Sequence, residues 1–311
     1  MIKKIFKYLF LSLIYLLIYL EEGHACSGLA LTLNYPTYNL NANSAPVLDF
    51  KVSRKNDSFG CSYFVGISKG RSSDYNRNLY LGNSKLPMQL YKNNSSNYII
   101  KDIPDIRSDS DCITGTFIKK NKILENILTY KTTLSLPANI MLAGTYTESY
   151  TVNLYQGTVS SGGLIQSSKT LTYTYNYPTK IDLSLVSSGA PFDLTSTYQN
   201  LNFGVLASGQ SMSFDIVVLS NAGYNLYLSS TYNGNLKHTN YQSMVNYSML
   251  INNSTINLAG SSSTPVLAAS GVGVTANEGQ RIPVRVVMGE VKNQLAGQYS
   301  DVIFITIATN L

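Results

Sequence analysis

The sequence is poor in the residue types on which metal and catalytic chemistry usually depend. Its 311 residues include three cysteines, two histidines and no tryptophan, and charged residues make up 13% of the total. The cysteines lack the spacing of a zinc site, and a hydrolytic triad needs a base beside its nucleophile. His238 is the one histidine outside the N-terminal segment, and we expect it to pack in a loop or contact a partner. We therefore predict a protein that is not an enzyme and that holds no cofactor or metal.

Charge of one sign does not accumulate along the sequence. The formal net charge is +6, and the nearest approach to a basic cluster spans residues 119–122. So small a cluster is typical of a solvated loop, and a nucleic-acid partner is not expected. An acidic segment lacks the spacing of a calcium loop, and solvation is its better interpretation. Its members are Asp102, Asp105, Asp109 and Asp111.

The N-terminal segment has the form of an export signal. A basic start at residues 3–7 precedes an apolar run over 8–20, which is shorter than the roughly 20 residues of a membrane-spanning helix. Residues 21–25 follow this run, include the small residues Gly23 and Ala25, and stand directly before Cys26. We predict that residues 1–25 are a signal peptide and that the mature chain is exported. Lipidation of Cys26 stays open as a minor alternative, although Gly23 stands where a lipobox usually has leucine.

Tyrosine, serine, threonine and asparagine are abundant, and their pattern predicts β-structure. Short runs alternate apolar with polar residues and are separated by glycine, proline and asparagine, whereas no long helical period is present. The segments Lys169–Tyr177, Met212–Leu219 and Leu201–Phe203 are among the predicted strands. We therefore predict an all-β chain.

One motif occurs twice and suggests the domain organisation. Leu142–Glu148 and Leu295–Asp301 both read Leu-Ala-Gly-x-Tyr, followed by a hydroxyl residue and an acid. The offset of about 150 residues suits one β-sandwich domain. The glycine permits a tight turn, the tyrosine begins a strand, and the acid is expected to face water. We predict two related domains, 26–178 and 179–311, with a short boundary at Pro178–Lys180.

The two predicted domains differ in how they end. The first has a further alternating strand, Leu171–Tyr177, beyond its copy of the motif, whereas the sequence of the second stops at Leu311. The final run is apolar on both faces, so we expect cover on both sides and a neighbour at its edge. A two-sheet sandwich that lacks its last strand would expose an apolar groove. The residues predicted to line this groove are Val302, Ile303, Phe304, Ile305 and Ile307.

Short segments of both halves together carry a family resemblance. In the first half they are Val52-Ser53-Arg54, Cys61–Val65, Gly70, Tyr75-x-Arg77 and Leu90-Tyr91. In the second half they are Leu183–Val186, Asn202–Gly204, Ser220–Tyr224 and Asn233–His238. In this order and spacing the chain resembles the tip subunits of Csu-type archaic chaperone–usher pili, which have two domains of the spore-coat-protein-U type.

The resemblance implies two immunoglobulin-like sandwiches in a pilus subunit. The second would be a pilin domain that lacks its last strand. A periplasmic chaperone and then the adjacent pilin subunit would complete this domain by adding a strand. An outer-membrane usher is the further partner that the resemblance implies. Because the mature sequence starts directly with its first strand and offers no donor extension, the expected position is the pilus tip at the cell surface.

The resemblance also implies adhesion to hydrophobic abiotic or host surfaces, and biofilm formation, through apolar loop tips of the first domain. Loops that alternate along the chain are expected to cluster at one end of the sandwich. The predicted surface-binding residues are Ala45, Pro46, Val47, Leu86, Pro87, Met88, Ala138, Ile140, Met141 and Leu142. Structural roles stay open for several of them, since Leu86 and Met88 suit core positions of a strand and residues 140–142 suit a plug at the sandwich end. A polar or glycan ligand also stays open, because these loops are rich in asparagine and serine.

Export and an odd number of cysteines favour one disulfide and one remaining thiol. Cys26 and Cys61 open the first and third predicted strands, and two successive hairpins bring such positions to the same end. Cys26–Cys61 is the favoured pair, and Cys61–Cys112 is the alternative. Two other functions stay open for the chain as a whole, namely a spore-coat-like structural protein of the outer surface and a secreted carbohydrate-binding module.

Overall fold

A computed structural model of the protein describes Cys26 and residues 28–42, 44–55, 60–93, 95, 97–118 and 124–310. The predicted signal peptide and the basic residues at 119–122 lie outside this part. The prediction of an all-β chain is confirmed, since the only helical pieces described are two single 3₁₀ turns at Asp109–Asp111 and Val159–Ser161. In the described residues no helix has the length and apolar character needed to cross a membrane.

The chain forms two compact units, each an immunoglobulin-like arrangement of packed sheets. The first unit contains the described residues up to Leu136 together with Thr145–Tyr175, and the second contains Pro137–Gly144 together with Asn176 onward. The predicted domain limits at 178 and 179 stay a prediction. The loop at Pro137–Gly144, which the sequence places in the first domain, belongs to the second unit.

The first unit is built from ten strands around a core rich in tyrosine. They are β1 (Ala30–Leu33), β2 (Thr37–Asn39), β3 (Val47–Ser53), β4 (Cys61–Ile67), β5 (Asn78–Leu81), β6 (Ser84–Lys92), β7 (Ile113–Phe117), β8 (Glu125–Leu134), β9 (Gly144–Gln156) and β10 (Leu164–Tyr177). One layer has the order β1-β3-β8-β6, and the other contains β7-β4-β9-β10-β2. Strand β5 pairs with both β6 and β9 and so joins the layers.

The abundance of tyrosine and hydroxyl residues has a structural reason in this core. The hydroxyl of Tyr173 lies 3.0 Å from those of both Tyr130 and Thr132, and all three residues are buried. A buried hydroxyl without a partner is costly, so these residues satisfy one another between the layers. Burial raises the pKa of Tyr130 to about 12.

Arg77 is a fully buried charged side chain, and it bonds three separate places of the first unit. Its guanidinium donates to the backbone carbonyls of Ile67, Ser68 and Ile100 at 2.7, 2.9 and 2.6 Å. It also donates to Gln89 Oε1 at 2.9 Å. Five N–H donors in a planar fork suit such convergence on carbonyls. Burial, which disfavours the charged form, lowers the pKa of Arg77 to about 10.

The cysteines take the arrangement that the sequence favours. Cys26 and Cys61 form a disulfide with their Cα atoms 5.4 Å apart, which ties the start of the described chain to the start of β4. Cys112 is buried as a free thiol. Burial raises the pKa of Cys112 to about 12.

The second unit is a two-sheet sandwich of ten strands. They are β11 (Ile181–Ser187), β12 (Ser211–Ser220), β13 (Tyr224–Ser230), β14 (Asn235–His238), β15 (Met244–Ile251), β16 (Ser254–Ile256), β17 (Val266–Gly271), β18 (Gln280–Met288), β19 (Tyr299–Ser300) and β20 (Ile303–Thr309). The larger sheet has the order β11-β12-β18-β15-β14-β19, with β16 on β15, and the smaller sheet has the order β17-β13-β20. The predicted strand at Leu201–Phe203 is wrong, because this segment belongs to neither sheet.

The glycine of the repeated motif has a similar backbone conformation in both copies. Gly144 and Gly297 have φ angles of 132° and 151°, which favour glycine. The acid that follows does not face water, so that prediction is wrong. Glu148 is 7% exposed and accepts a hydrogen bond from Arg71 Nε at 2.7 Å. Asp301 accepts hydrogen bonds from Ser230 Oγ at 2.6 Å and from Tyr232 N at 3.1 Å.

Candidate functional site

Strand β20 ends the smaller sheet of the second unit, and its outer edge has no neighbouring strand among the described residues. It pairs with β13 alone. Val302 O accepts from Thr231 N, and Asn310 N donates to Gly223 O, both at 3.0 Å. In an antiparallel ladder, alternate residues point their backbone groups to opposite sides. The N–H and C=O groups of Ile303, Ile305 and Ile307 therefore point to the free edge.

Strand β11 ends the larger sheet and faces this free edge with an edge of its own. Its pairing partner is β12. The backbone of Leu185, in the middle of β11, is bonded by a neighbouring segment of the chain. Its N–H donates to Ser196 O at 2.8 Å, and its C=O accepts from Gln199 Nε2 at 2.7 Å and from Ser196 Oγ.

A groove with a volume of about 1100 Å³ opens between these two edges. Its floor consists of buried core residues contributed by three strands of the larger sheet: Phe214, Tyr247, Met249, Val286 and Met288. Its sides include Leu183 and Leu185 of β11 and Ile303 and Ile305 of β20. Of the described residues that line it, Asp301 alone is charged. The groove therefore suits an uncharged occupant that places apolar side chains on this floor.

The residues predicted to line the groove divide by the alternation of β20. Ile303, Ile305 and Ile307 are half-buried and pack against the core cluster. Phe304 and Val302 are 61% and 55% exposed, and the period of two places the Phe304 side chain on the outer face. The sequence analysis did not predict that β11 and the segment at 197–206 also line the groove. For that segment, the alternation of Leu201 and Phe203 with polar residues could have indicated it.

The predicted surface-binding residues do not form one exposed cluster. Leu86 and Met88 are buried core residues of β6, so their prediction as surface residues is wrong. Ala45, Val47 and Pro87 are exposed. Pro46 O accepts from Thr132 N and Pro87 O from Ser135 N, both at 3.0 Å, so these two predicted loops meet at the end of β8.

The loop that carries Ala138, Ile140, Met141 and Leu142 is not a finger of the first unit. It belongs to the second unit, and residues 140–142 are half-buried. Ala143 N donates to Asn221 O at 2.8 Å and Asn277 Nδ2 donates to Asn139 Oδ1 at 3.3 Å, which fixes the loop on that unit. Residues 140–142 are therefore partly covered side chains of the second unit, and a plug at the end of the first sandwich stays a prediction.

Four exposed apolar side chains lie at the opposite end of the first unit, where β7 and β9 finish and β8 and β10 begin. Ile118, Leu124, Leu164 and Ile165 are 63%, 42%, 69% and 54% exposed. The start of β4 lies beside both connections that carry these side chains, β7 to β8 and β9 to β10. Cys61 pairs with Phe117, and Ser62 O accepts from Gly157 N at 2.9 Å. The sequence missed this end because the residues read as the termini of apolar strands.

The remaining candidate groups have structural partners. Asp102 is buried and accepts from Tyr155 Oη and Asn153 Nδ2, both at 2.7 Å, so the predicted solvation is wrong for this residue. His238 is buried between Tyr241 and Tyr299, and its Nδ1 accepts from Asn240 N at 3.0 Å. Within the described ranges no group of three or more histidine, cysteine, aspartate or glutamate side chains is placed to hold a metal ion.

Comparison with known proteins gives matches among solved structures alone, since no family model and no curated protein matches the chain. The CsuC–CsuE chaperone–tip adhesion subunit complex of the archaic chaperone-usher Csu pili of Acinetobacter baumannii is 12% identical, with a TM-score of 0.36 over 89% of this chain and 99% of that chain. The CupB6 tip adhesin of Pseudomonas aeruginosa is 10% identical, with a TM-score of 0.40 over 91% and 97%.

A third similar structure is the chaperone–tip adhesin complex of CFA/I fimbriae biogenesis. It is 11% identical, with a TM-score of 0.32 over 92% of this chain and 86% of that chain. All three TM-scores are below 0.5.

Proposed function

We propose that this chain is an adhesin subunit of a chaperone–usher pilus, exported to the cell surface and joined to its fibre by strand addition. The observation that supports this function is the groove with an apolar floor between two facing sheet edges. An edge with free backbone groups is a template for another strand. The occupant is a β-strand of another polypeptide.

The geometry of β20 supports this choice of occupant. A strand laid along it would bond the outward backbone groups of Ile303, Ile305 and Ile307. Every second side chain of the added strand would point to the apolar floor. Each such side chain contributes about 1.5–3 kcal/mol when it is fully buried. Backbone bonds then supply affinity, while the spacing of the apolar side chains supplies register.

The partners follow from the need to cover this groove throughout export and assembly of the pilus. A periplasmic chaperone supplies the first strand, an adjacent pilin subunit supplies the lasting one, and an outer-membrane usher is the site of exchange. We place the subunit at the fibre tip because a folded sandwich, the first unit, precedes the acceptor unit in the chain. Surface attachment at that position would promote biofilm formation.

Adhesion is assigned to the end of the first unit that carries Ile118, Leu124, Leu164 and Ile165. Exposed apolar side chains grouped at one end of a domain mark a contact surface. These residues replace the predicted set in the role of binding hydrophobic surfaces, because most of that set is buried or belongs to the second unit. Hydrophobic abiotic or host surfaces are the proposed target.

Peptide binding to the purified full chain tests the strand-acceptor role. A synthetic peptide of about ten residues, with valine at every second position between threonine and lysine, imitates a short strand. We expect saturating peptide to raise the unfolding temperature of the second unit, since a ligand at 100-fold its Kd adds about 2.7 kcal/mol.

Two substitutions on one strand provide the matched control for this test. Ile305→Asp puts a charge in the groove and should abolish the stabilisation by the peptide. Thr306→Asp, on the exposed face of β20, should retain it. If the peptide changes the stability of neither the native chain nor the Thr306→Asp variant, the strand-acceptor function is refuted.

A further inference from the structure

Residues 196–206, which we call the cover segment, run along the groove without joining either sheet. Their apolar side chains at Leu201, Phe203 and Leu206 are half-buried and pack against the same core cluster that forms the floor. Val205, which lies between Phe203 and Leu206, is 93% exposed. Of these four apolar side chains, the segment therefore turns all but Val205 toward the floor of the groove.

The first residues of the cover segment also occupy the bonding positions of β11. Ser196 and Gln199 bond the N–H and C=O of Leu185, which point to the free edge of that strand. A strand that entered between β11 and β20 and paired with both would need these same groups. The cover segment and an added strand therefore compete for one site.

The bonds that hold the rest of the cover segment depend mainly on side chains. Gln210 Nε2 donates to Phe203 O at 2.7 Å, and Gly204 N donates to Asn202 Oδ1 at 3.0 Å within the segment itself. A full strand would instead form a ladder of backbone bonds along the edge. Segments with few buried contacts and few ladder bonds open at low free energy.

We propose that the cover segment is a displaceable lid, which shields the apolar floor until a strand from another polypeptide replaces it. This proposal rests on the strand-acceptor function proposed above and adds a regulatory step to it. Displacement exchanges the bonds at Leu185 for backbone bonds from the added strand. The rate of strand uptake then depends on the free energy with which Phe203 and its apolar neighbours pack against the core.

A single tryptophan tests the displacement directly, because the chain has none of its own. In the full chain, Phe203→Trp places the reporter in the cover segment. Adding the valine–threonine–lysine peptide should shift its emission to longer wavelength as the ring moves into water. Leu267→Trp, on β17 and away from the groove lining, is the matched reporter and should not shift.

A second pair of variants measures the competition. Phe203→Ser weakens the hold of the cover segment and should accelerate peptide uptake about tenfold, which corresponds to about 1.4 kcal/mol. Val205→Ser alters an exposed residue of the same segment and should leave the rate unchanged. A purely structural role for Phe203 would instead slow or abolish uptake.

The outcomes separate the lid from the strand-acceptor function. If the peptide stabilises the chain but the emission of the Phe203→Trp variant does not shift and Phe203→Ser does not accelerate uptake, the lid is refuted and the acceptor function stands. If the peptide binds neither the native chain nor Phe203→Ser, both proposals fail.

Discussion

Tyr247 Oη donates a hydrogen bond of 2.6 Å to Asp301 Oδ2, and this bond joins β15 to the residues just before β20. Asp301 also accepts from Ser230 Oγ at 2.6 Å and from the backbone of Tyr232 at 3.1 Å. The acid of the second motif copy thus fixes the start of the strand that borders the groove. Burial, followed by the hydrogen bond to Asp301, raises the pKa of Tyr247.

Tyr247→Phe should destabilise the second unit by about 1–3 kcal/mol, because the carboxylate of Asp301 loses one of its donors. Denaturant unfolding of the full chain measures this loss. Tyr198→Phe removes a hydroxyl from a residue that is 77% exposed and serves as the control. Equal stability of the two variants would contradict the role assigned to the bond.

Arg77→Lys should destabilise the first unit by about 2–4 kcal/mol. A lysine cannot reach three carbonyls with a planar fork, so buried acceptors at Ile67 and Ile100 lose their donor. Thermal unfolding monitored by tyrosine fluorescence measures the effect. Arg107→Lys, at an exposed position, should leave the transition unchanged, and a similar loss in both variants would count against this account.

Alkaline pH should destabilise the first unit through Tyr130. Burial raises the pKa of Tyr130 from 10.0 to about 12, so the unfolded chain releases this proton at a lower pH than the folded chain. The stabilisation is complete below about pH 10 and is lost as the pH rises toward about 12. Urea unfolding between about pH 9 and 11 should show a shallower decline for Tyr130→Phe than for Tyr98→Phe, and parallel declines would refute the assignment.

The disulfide and the free thiol should respond differently to reagents. Replacing Cys26 and Cys61 with serine should cost about 4 kcal/mol, from the loop closed by a sequence separation of 35. Cys112 should resist iodoacetamide at about pH 8 until the chain unfolds, because burial raises its pKa to about 12. Mass spectrometry with and without denaturant checks this, and rapid native alkylation would contradict it.

The adhesive end is tested by Ile118→Ser combined with Leu164→Ser. We expect weaker retention of the full chain on a hydrophobic surface, because two exposed apolar side chains at that end are removed. Ile127→Ser removes a side chain of similar exposure, 65%, from the face of β8 and should retain binding. Equal retention of all variants would favour a structural role, and binding competed by free sugar would favour a carbohydrate-binding module.

Alternation with a period of two determined much of this protein from the sequence alone. It is a local property, so the runs around Tyr173 and Ile305 predicted strands without knowledge of their neighbours. The glycines of the repeated motif were equally predictable, because a positive φ is a property of single residues. The free edge of β20 followed from comparing the two copies of the motif.

Tertiary structure alone decided what depends on partners distant in the chain. Glu148 is buried because Arg71, 77 residues away, supplies a charge, and Asp301 is held because Tyr247 and Ser230 converge on it. The fold likewise decided that residues 140–142 belong to the second unit and are half-buried, whereas Ile118 and Leu164 are exposed. Sequence periodicity shows which side of a strand is apolar, but long-range pairing determines what that side meets.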